Sequence, residues 1–399
     1  MRPAGSAGGP ILVTDAESRK ALALVRSLGR SHAVLASSEQ RLAMAGWSRQ
    51  AAGRLRQPPP EMVGSWALET VRTHRVHAIF APQEPTILAL ADRYDELRAA
   101  GTILTFPRPE ILANAFDKRR TLAAARTVGM PIPASIETAP GDDLERAAAE
   151  IGFPVVLKAP LSYERRGTTT VRLGGPWYAS SAEELRAIVR DRAPDDPPPI
   201  IQRFVPGTGI GLSMLLDRDG ELCAEFAHRR VRDIDPRGSA SVVREAMTID
   251  EGLREMTLRL LQEMGWWGVA MVEFKLDEPT GELALMEVNG RFWGSLQLAI
   301  DAGVDFPTLL LSVAEGQRPP VPVPSPDRRL RWWLGDAAST ARVLKGRPRG
   351  FPGRFPARWA AVKAFLRPSR GTRNEVLRAS DPVPAAMELL GLLGRFRRR

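Results

Sequence analysis

The sequence predicts an α/β fold that becomes α+β in its central part, and three observations carry this. Residues 10–110 alternate short apolar strands with helical patterns, the signature of an open parallel sheet. From Pro199 to Arg291 longer alternating strands dominate, joined by turn residues. Pro319 to Pro326 is a proline-rich linker, after which the composition turns basic and aromatic.

The elements follow in order. Pro10–Thr14 is a buried strand, and Ser18 to Leu28 carries apolar residues at helical spacing, stopped by Gly29. His32–Ala36, Val76–Pro82 and Thr102–Phe106 continue the strands, with Gln57–Pro60 as a loop or a stiff connector. No Gly-x-Gly-x-x-Gly follows the first strand, so a dinucleotide site is not indicated. Asn114–Lys118 opens a helix to about Val128, with Asn114 or Asp117 as cap and Gly129 as stop. Pro154–Pro160 is a β-branched strand ending in Lys158. The polar stretch Ser162–Thr170 reads equally as a phosphate-covering loop, through Arg165 and Arg166, or as an ordinary hairpin tip. Pro194–Pro199 is a loop. Pro199–Val205, Ile210–Asp217 and Glu221–Val231 are strands, and Asp217–Gly220 is a turn. The glycines of Gly207–Gly211 lie between strands, a weak setting for a phosphate loop.

A chain of 399 residues with 44% hydrophobic and 26% charged content is globular and long enough for two or three domains. Its single cysteine, Cys223, excludes an internal disulfide and points to a reducing, cytoplasmic setting. Four scattered histidines offer no zinc-type spacing. No apolar run reaches the roughly 20 residues of a membrane span. The net charge of +10 is uneven: residues 326–399 hold 18 basic against 5 acidic side chains, and the remainder is slightly acidic. Only six of the 56 basic residues are lysines, so Lys118 and Lys158 stand out.

The chemistry concentrates in two adjacent strands. Glu287, Asn289 and Arg291 alternate, so in extended chain they leave one face. In the preceding strand, Gly268–Leu276, Glu273 shares a face with Met271 and Lys275. Residues 277–281 form the turn. Pairing Leu276 with Glu282 makes Glu273 and Glu287 diagonal neighbours, roughly 7–8 Å apart. Two carboxylates that close need a cation between them, or one takes a proton. Hard cations such as Mg²⁺ prefer oxygen ligands plus phosphate oxygens, and a guanidinium suits a transferred phosphoryl group. Read alone, the hairpin fits a surface with unconnected acids equally well.

Glu273, Glu287-Val-Asn289-Gly-Arg291, Asp117-Lys118, Pro154-Val-Val-Leu-Lys158 and Ile200-Ile-Gln202-Arg-Phe-Val205 occur in an order that resembles the ATP-grasp ligases. The likeness is to their carboxylate–amine branch, related to carbamoyl-phosphate synthetase and biotin carboxylase, and spans residues 10–320. It implies a Rossmann-like domain at 1–112 and an ATP-grasp domain at 113–318, with lobes 113–205 and 206–318. A linker and basic helical extension would follow at 319–399. It further implies Glu273, Glu287 and Asn289 as Mg²⁺ (or Mn²⁺) ligands and Arg291 at the transferred phosphoryl group. Lys118 and Lys158, and Arg165 in the lid, would hold ATP phosphates; Gln202, Arg203 and Val205 would meet the adenine. His228, Arg229 and Arg244 would be basic groups near the phosphates or the acid. The sequence departs from the family pattern in its Arg/Thr-rich lid, in Gln202 where the hinge commonly carries Glu, and in lacking an acid after the hinge.

The implied activity is ATP-dependent conversion of a small carboxylate to an acyl phosphate, captured by an amine. The alternatives are a catalytically inactive ATP-binding relative and an anionic-surface interaction protein acting through its basic tail. The tail reads as an accessory packing on the core or as a surface for membrane or nucleic acid. A homodimer is one assembly open to the chain, and the sequence leaves the oligomeric state open.

Overall fold

The computed structural model describes residues 8–167, 169–193, 195–277, 280–348, 351–367 and 371–396. Thr168 of the expected polar loop, Pro194, Glu278 and Pro279 of the expected turn, and the terminal Arg397–Arg399 lie outside them.

The alternation in residues 10–110 becomes a five-stranded sheet of β1 (Ile11–Val13), β2 (Val34–Ser38), β3 (Gly53–Arg56), β4 (Ala78–Phe80) and β5 (Ile103–Leu104). All neighbours are parallel, in the order β3-β2-β1-β4-β5. The helix Arg19–Leu28 begins where the Ser18 side chain accepts from the Ala21 amide, and it buries Leu22, Val25 and Leu28. Gln57–Pro59 form the expected loop, and Pro60 opens the helix Pro60–His74, because its fixed φ suits a first helical turn. The strand order reverses between β1 and β4, so a crevice opens beyond their carboxyl ends.

The second sheet holds β6 (Ser135–Glu137), β7 (Val155–Lys158), β10 (Trp177–Ala179) and β11 (Ile200–Arg203), in the antiparallel order β10-β7-β11-β6. Between β7 and β10 the polar stretch forms a separate hairpin of β8 (Tyr163–Arg166) and β9 (Thr169–Arg172). Asn114 lies inside the helix Pro109–Phe116. Asp117 caps the next helix, Lys118–Thr127, by accepting from the Arg119 amide.

The third sheet runs β16-β15-β12-β13-β14-β17-β18. Its members are β12 (Thr208–Leu216), β13 (Leu222–Asp233), β14 (Ser241–Met247), β15 (Gly268–Asp277), β16 (Glu282–Asn289), β17 (Arg329–Arg331) and β18 (Thr372–Asn374). The last two correct the expected all-helical tail. Helices form at Trp333–Lys345, Arg358–Leu366 and Val383–Phe396, but β17 hydrogen-bonds along β14 and β18 along β17. Buried acids anchor the tail. Asp336 takes Arg232 and Arg331, Glu375 takes Arg19 and Arg244, and Asp381 takes Arg26. Three of the tail's five acids thus pair with arginines, four of these from outside the tail.

Candidate active site

The site grows from the β15–β16 hairpin, whose register differs from the expected one. Asp277 pairs with Glu282 and Leu276 with Leu283, and the register shifts between Glu273 and Phe274. Phe274 faces Leu285 while Glu273 faces Glu287, leaving Met286 as the bulged residue. The two carboxylates are therefore direct partners instead of diagonal neighbours, and Asn289 faces Met271. The Asn289 amide donates to Glu287 Oε1 at 3.0 Å and to Glu273 Oε1 at 3.3 Å.

A cation supports this pair from two strands away. Arg230 on β13 donates to Glu273 Oε2 at 2.8 Å and to Asp233 Oδ1 at 3.0 Å. It reaches across β12 because that strand presents Gly209 and Gly211. A Cβ on Gly209 would meet Arg230 Cδ at 2.5 Å, and one on Gly211 would meet the His228 ring at 2.3 Å. The glycine-rich run is a cleared strand face, not a phosphate loop.

Charge then divides the carboxylates. Burial raises Glu273 well above the usual carboxylate range; Arg230 opposes the rise and Glu287 adds to it. Burial acts on Glu287 too, but Lys118, the Asn289 amide, Lys158 and Arg291 together hold it below its ordinary value. Lys158, at the end of β7, is pulled down to about 8 by burial, and its ammonium points at the Met286 carbonyl, 3.4 Å away. Lys118, first residue of its helix, joins Glu84, Ser162 and Arg291 around Glu287 and Asn289. Arg291 Nε lies 3.9 Å from Glu84 Oε2.

Glu273, Glu287, Asn289, Arg291, Lys158 and Arg230 line a cleft of about 740 Å³ between the second and third sheets. Lys118 and Glu84 line a small adjoining hollow that shares Glu287, Asn289 and Arg291. Gln202, Arg203 and Val205 line the cleft with Pro133, Val156 and Met286. Gln202 is buried; its Nε2 donates to Ser135 Oγ at 2.9 Å and its Oε1 has no partner. Turning the amide over would only exchange which atom is left unpaired.

Three expected residues are elsewhere. Arg244 is fully buried, ion-paired to Glu375 and donating to the Ser241 carbonyl at 2.5 Å, because its side of β14 faces the packed tail. Arg229 alternates with its neighbours onto the outer side of β13 and pairs with Glu245. Arg165 is ion-paired to Asp92, on the side of the first sheet. His228 does line the cleft, beside Ser295 Oγ at 3.2 Å, but burial and then Arg244 and Arg230 press its pKa down to about 3. It stands there as a neutral hydrogen-bonding group, not a cation.

Other residues in and around the cleft escaped the sequence reading. Arg230 shares the alternation of His228, a signal that was present. Lys20 is one of the few lysines; its ammonium donates to the Pro82 carbonyl at 2.5 Å and to Gln83 Oε1 at 2.9 Å. Burial, followed by the facing charge of Arg291, lowers its pKa. Phe351 of the tail packs edge-on against Tyr178 and Phe204, with ring centroids 5.3 and 6.1 Å away, and brings Arg354 to the cleft. Nothing in the local sequence announced that contact.

Comparison with known proteins bears on the fold. Residues 195–333 match the family described as ATP-grasp in the biosynthetic pathway with Ter operon. The chain is 27% identical to the N-terminal section of the carbamoyl phosphate synthase large chain of Methanopyrus kandleri, over 52% of this chain and 37% of that one. It is 28% identical to D-alanine–D-alanine ligase of Ectopseudomonas mendocina, over 50% of this chain and 65% of that one. The match thus takes in between about a third and two thirds of these relatives' lengths. Among solved structures, the biotin carboxylase domain of Hydrogenobacter thermophilus 2-oxoglutarate carboxylase, crystallised with MgADP and bicarbonate, superposes with a TM-score of 0.61. That likeness has 18% identity and covers 78% of this chain and 70% of that one. Staphylococcus aureus N5-carboxyaminoimidazole synthetase gives a TM-score of 0.60 at 15% identity, covering 78% of each chain. The fold is the ATP-grasp fold, and residues 195–333 carry the match to an ATP-grasp family.

Proposed function

We propose that this protein is an ATP- and Mg²⁺-dependent ligase. It would activate a small carboxylate as an acyl phosphate and pass the acyl group to an amine. The observation that carries the reading is the convergence on one cleft of Glu273, Glu287, Asn289, Arg291 and Lys158, with Lys118 in an adjoining hollow that shares Glu287, Asn289 and Arg291.

The residues present fit a divalent cation. Among the described residues no three His, Cys, Asp or Glu side chains gather at one metal site. Here two carboxylates are bridged by the Asn289 side-chain amide, whose nitrogen donates to both. With the amide turned over, its oxygen would join them in a hard-donor set suited to a cation that keeps phosphate oxygens as further ligands. Burial is what chiefly raises Glu273, with the facing Glu287 adding to it, and a bound cation would offset both. Glu273, Glu287 and Asn289 would hold Mg²⁺, which when bound would neutralise the β- and γ-phosphates of ATP. The adenine fits against Val156, Val205 and Met286, with the unpaired Gln202 amide atom available to its edge.

The chain's own groups then position and neutralise. Lys118 and Lys158 hold phosphate oxygens, and Arg291 meets the transferring group. A substrate carboxylate oxygen attacks the γ-phosphorus; the new O–P bond forms as the bond to the ADP oxygen breaks. The amine nitrogen next attacks the acyl carbon, and phosphate leaves with the former carboxylate oxygen, taking up the proton that the amine gives up. Lys20, facing Arg291 from the first sheet, supports an anionic substrate group entering from the crevice between β1 and β4. Phosphoryl transfer asks for positioning and charge more than for a protein nucleophile, in keeping with a neutral His228.

The test is ADP release with a panel of acids and amines, with and without Mg²⁺. Release that needs Mg²⁺ and both co-substrates supports the reading. ATP binding without turnover across the panel supports the inactive relative instead.

A further inference from the structure

A second cavity, of about 870 Å³, lies away from the cleft. It is enclosed by the C-terminal end of the helix Arg19–Leu28, the segment Arg49–Ala52, the helix Leu296–Asp301 and the tail stretch Arg373–Asp381. Five arginines line it, Arg26, Arg30, Arg49, Arg373 and Arg378, against two aspartates, Asp301 and Asp381. This chain is rich in arginine everywhere, so the excess of charge, not the choice of arginine over lysine, carries the argument.

The arginines are not equally occupied. Arg26 is structural: it donates to Asp381 Oδ2 at 2.9 Å and to the carbonyls of Glu375, Val376 and Asp381. Arg378 is held by Asp301 at 2.6 Å. Arg373 is half exposed and only 3.5 Å from the same Asp301. Arg49 gives its side chain only to the Ser380 carbonyl, at 2.9 Å. The Arg30 backbone donates to the Ser27 carbonyl at 3.2 Å, while its guanidinium has no hydrogen-bond or ion-pair partner among the described residues. His32 adds a ring bonded through Nδ1 to Ser31 Oγ at 2.9 Å. Arg30, Arg49 and Arg373 therefore bring forked donors with spare capacity to one concave space. Guanidinium forks match phosphate oxygens in geometry and charge, and the volume suits a small ligand, not a polymer groove.

We propose that this cavity binds a compact polyanion of the pyrophosphate type, as carried by a phosphorylated small molecule. The site is physically tied to the cleft. The helix Arg19–Leu28 has Lys20 near Arg291 at one end and Arg26 in the cavity, about 15 Å of helix in all. The tail stretch that supplies Arg373 and Asp381 also supplies Glu375, the partner of Arg19 and Arg244.

Equilibrium dialysis of the full chain with inorganic pyrophosphate, at fixed ionic strength near 0.15 M, tests the proposal. The phosphate-binding lysines of the cleft offer a competing site, so a Lys118→Ala/Lys158→Ala chain is measured beside the unaltered one. The proposal expects that chain to keep a pyrophosphate site, and Arg30→Ser/Arg373→Ser to weaken it by about tenfold or more. Arg30→Lys/Arg373→Lys should recover part of the affinity. In the unaltered chain, pyrophosphate should slow amide hydrogen exchange in residues 26–33 and 371–381, a readout independent of how the variants fold. Complete loss of binding in the lysine variant, equal binding by the serine variant, or unchanged exchange in both segments overturns it. ATP turnover in the cleft is a separate measurement, so either reading can fail without the other.

Discussion

Glu273 and Glu287 face each other directly across β15 and β16, bridged by the Asn289 amide and backed on one side by Arg230. The pair holds the charge that defines the site, and the arrangement makes its parts separable by mutation.

Glu287→Gln and Asn289→Ala each remove one proposed cation ligand without creating a cavity. ADP formation should fall by about 10²–10³ or more in each, while far-ultraviolet circular dichroism stays unchanged. Turnover within a few-fold of the unaltered enzyme would show that the cation is held elsewhere.

Arg230→Met takes away the guanidinium that stabilises Glu273. Leaving a buried charge without its partner costs about 3–5 kcal/mol, which protonation of Glu273 relieves only in part. Added Mg²⁺ should therefore raise the melting temperature of this variant more than that of the unaltered chain. Equal shifts in both would mean that Arg230 and the cation do not share a site.

His228 is pressed down to about 3 by burial. Below about pH 6.5 the unfolded chain takes up a proton there and the folded chain does not. Stability contributed by the neutral ring is thus complete above that pH and is lost as pH falls toward 3. Relative to His228→Gln, the unaltered chain should lose about 1.4 kcal/mol per pH unit across this window. Urea unfolding at about pH 7 and about pH 5 reads the difference; parallel behaviour of the two chains would contradict a buried neutral imidazole.

Lys20→Met removes a cation facing Arg291 from the first sheet. Once an acid substrate is known, its KM should rise about tenfold with the KM for ATP little changed. The reverse pattern would place Lys20 with the nucleotide.

Glu375→Gln strips the shared partner of Arg19 and Arg244, the latter fully buried. Unfolding free energy should drop by about 3–5 kcal/mol. A loss below about 1 kcal/mol would show that the tail merely rests on the core.

Much of the site was legible in local patterns. Alternation put Glu287 and Asn289 on one face and Glu273 on the matching face of its neighbour, because the pleat has a period of two. Asp117 before Lys118 announced a helix start, since an aspartate there can satisfy a free amide. The register was not legible: the bulge at Met286 exchanges a diagonal pair for a direct one, and a bulge leaves no necessary trace in composition.

The sequence alone determined the α/β character of the chain, the two acidic strands and the lysines, because periodicity and residue chemistry are local properties. Only the tertiary structure decided which charges meet. It carried Arg230 over Gly209 to Glu273, turned Arg244 away to Glu375, and folded a basic tail into two strands and a set of buried ion pairs. Those outcomes depend on packing between segments far apart in the chain, where the free energy of burying a charge is settled by partners that no single stretch contains.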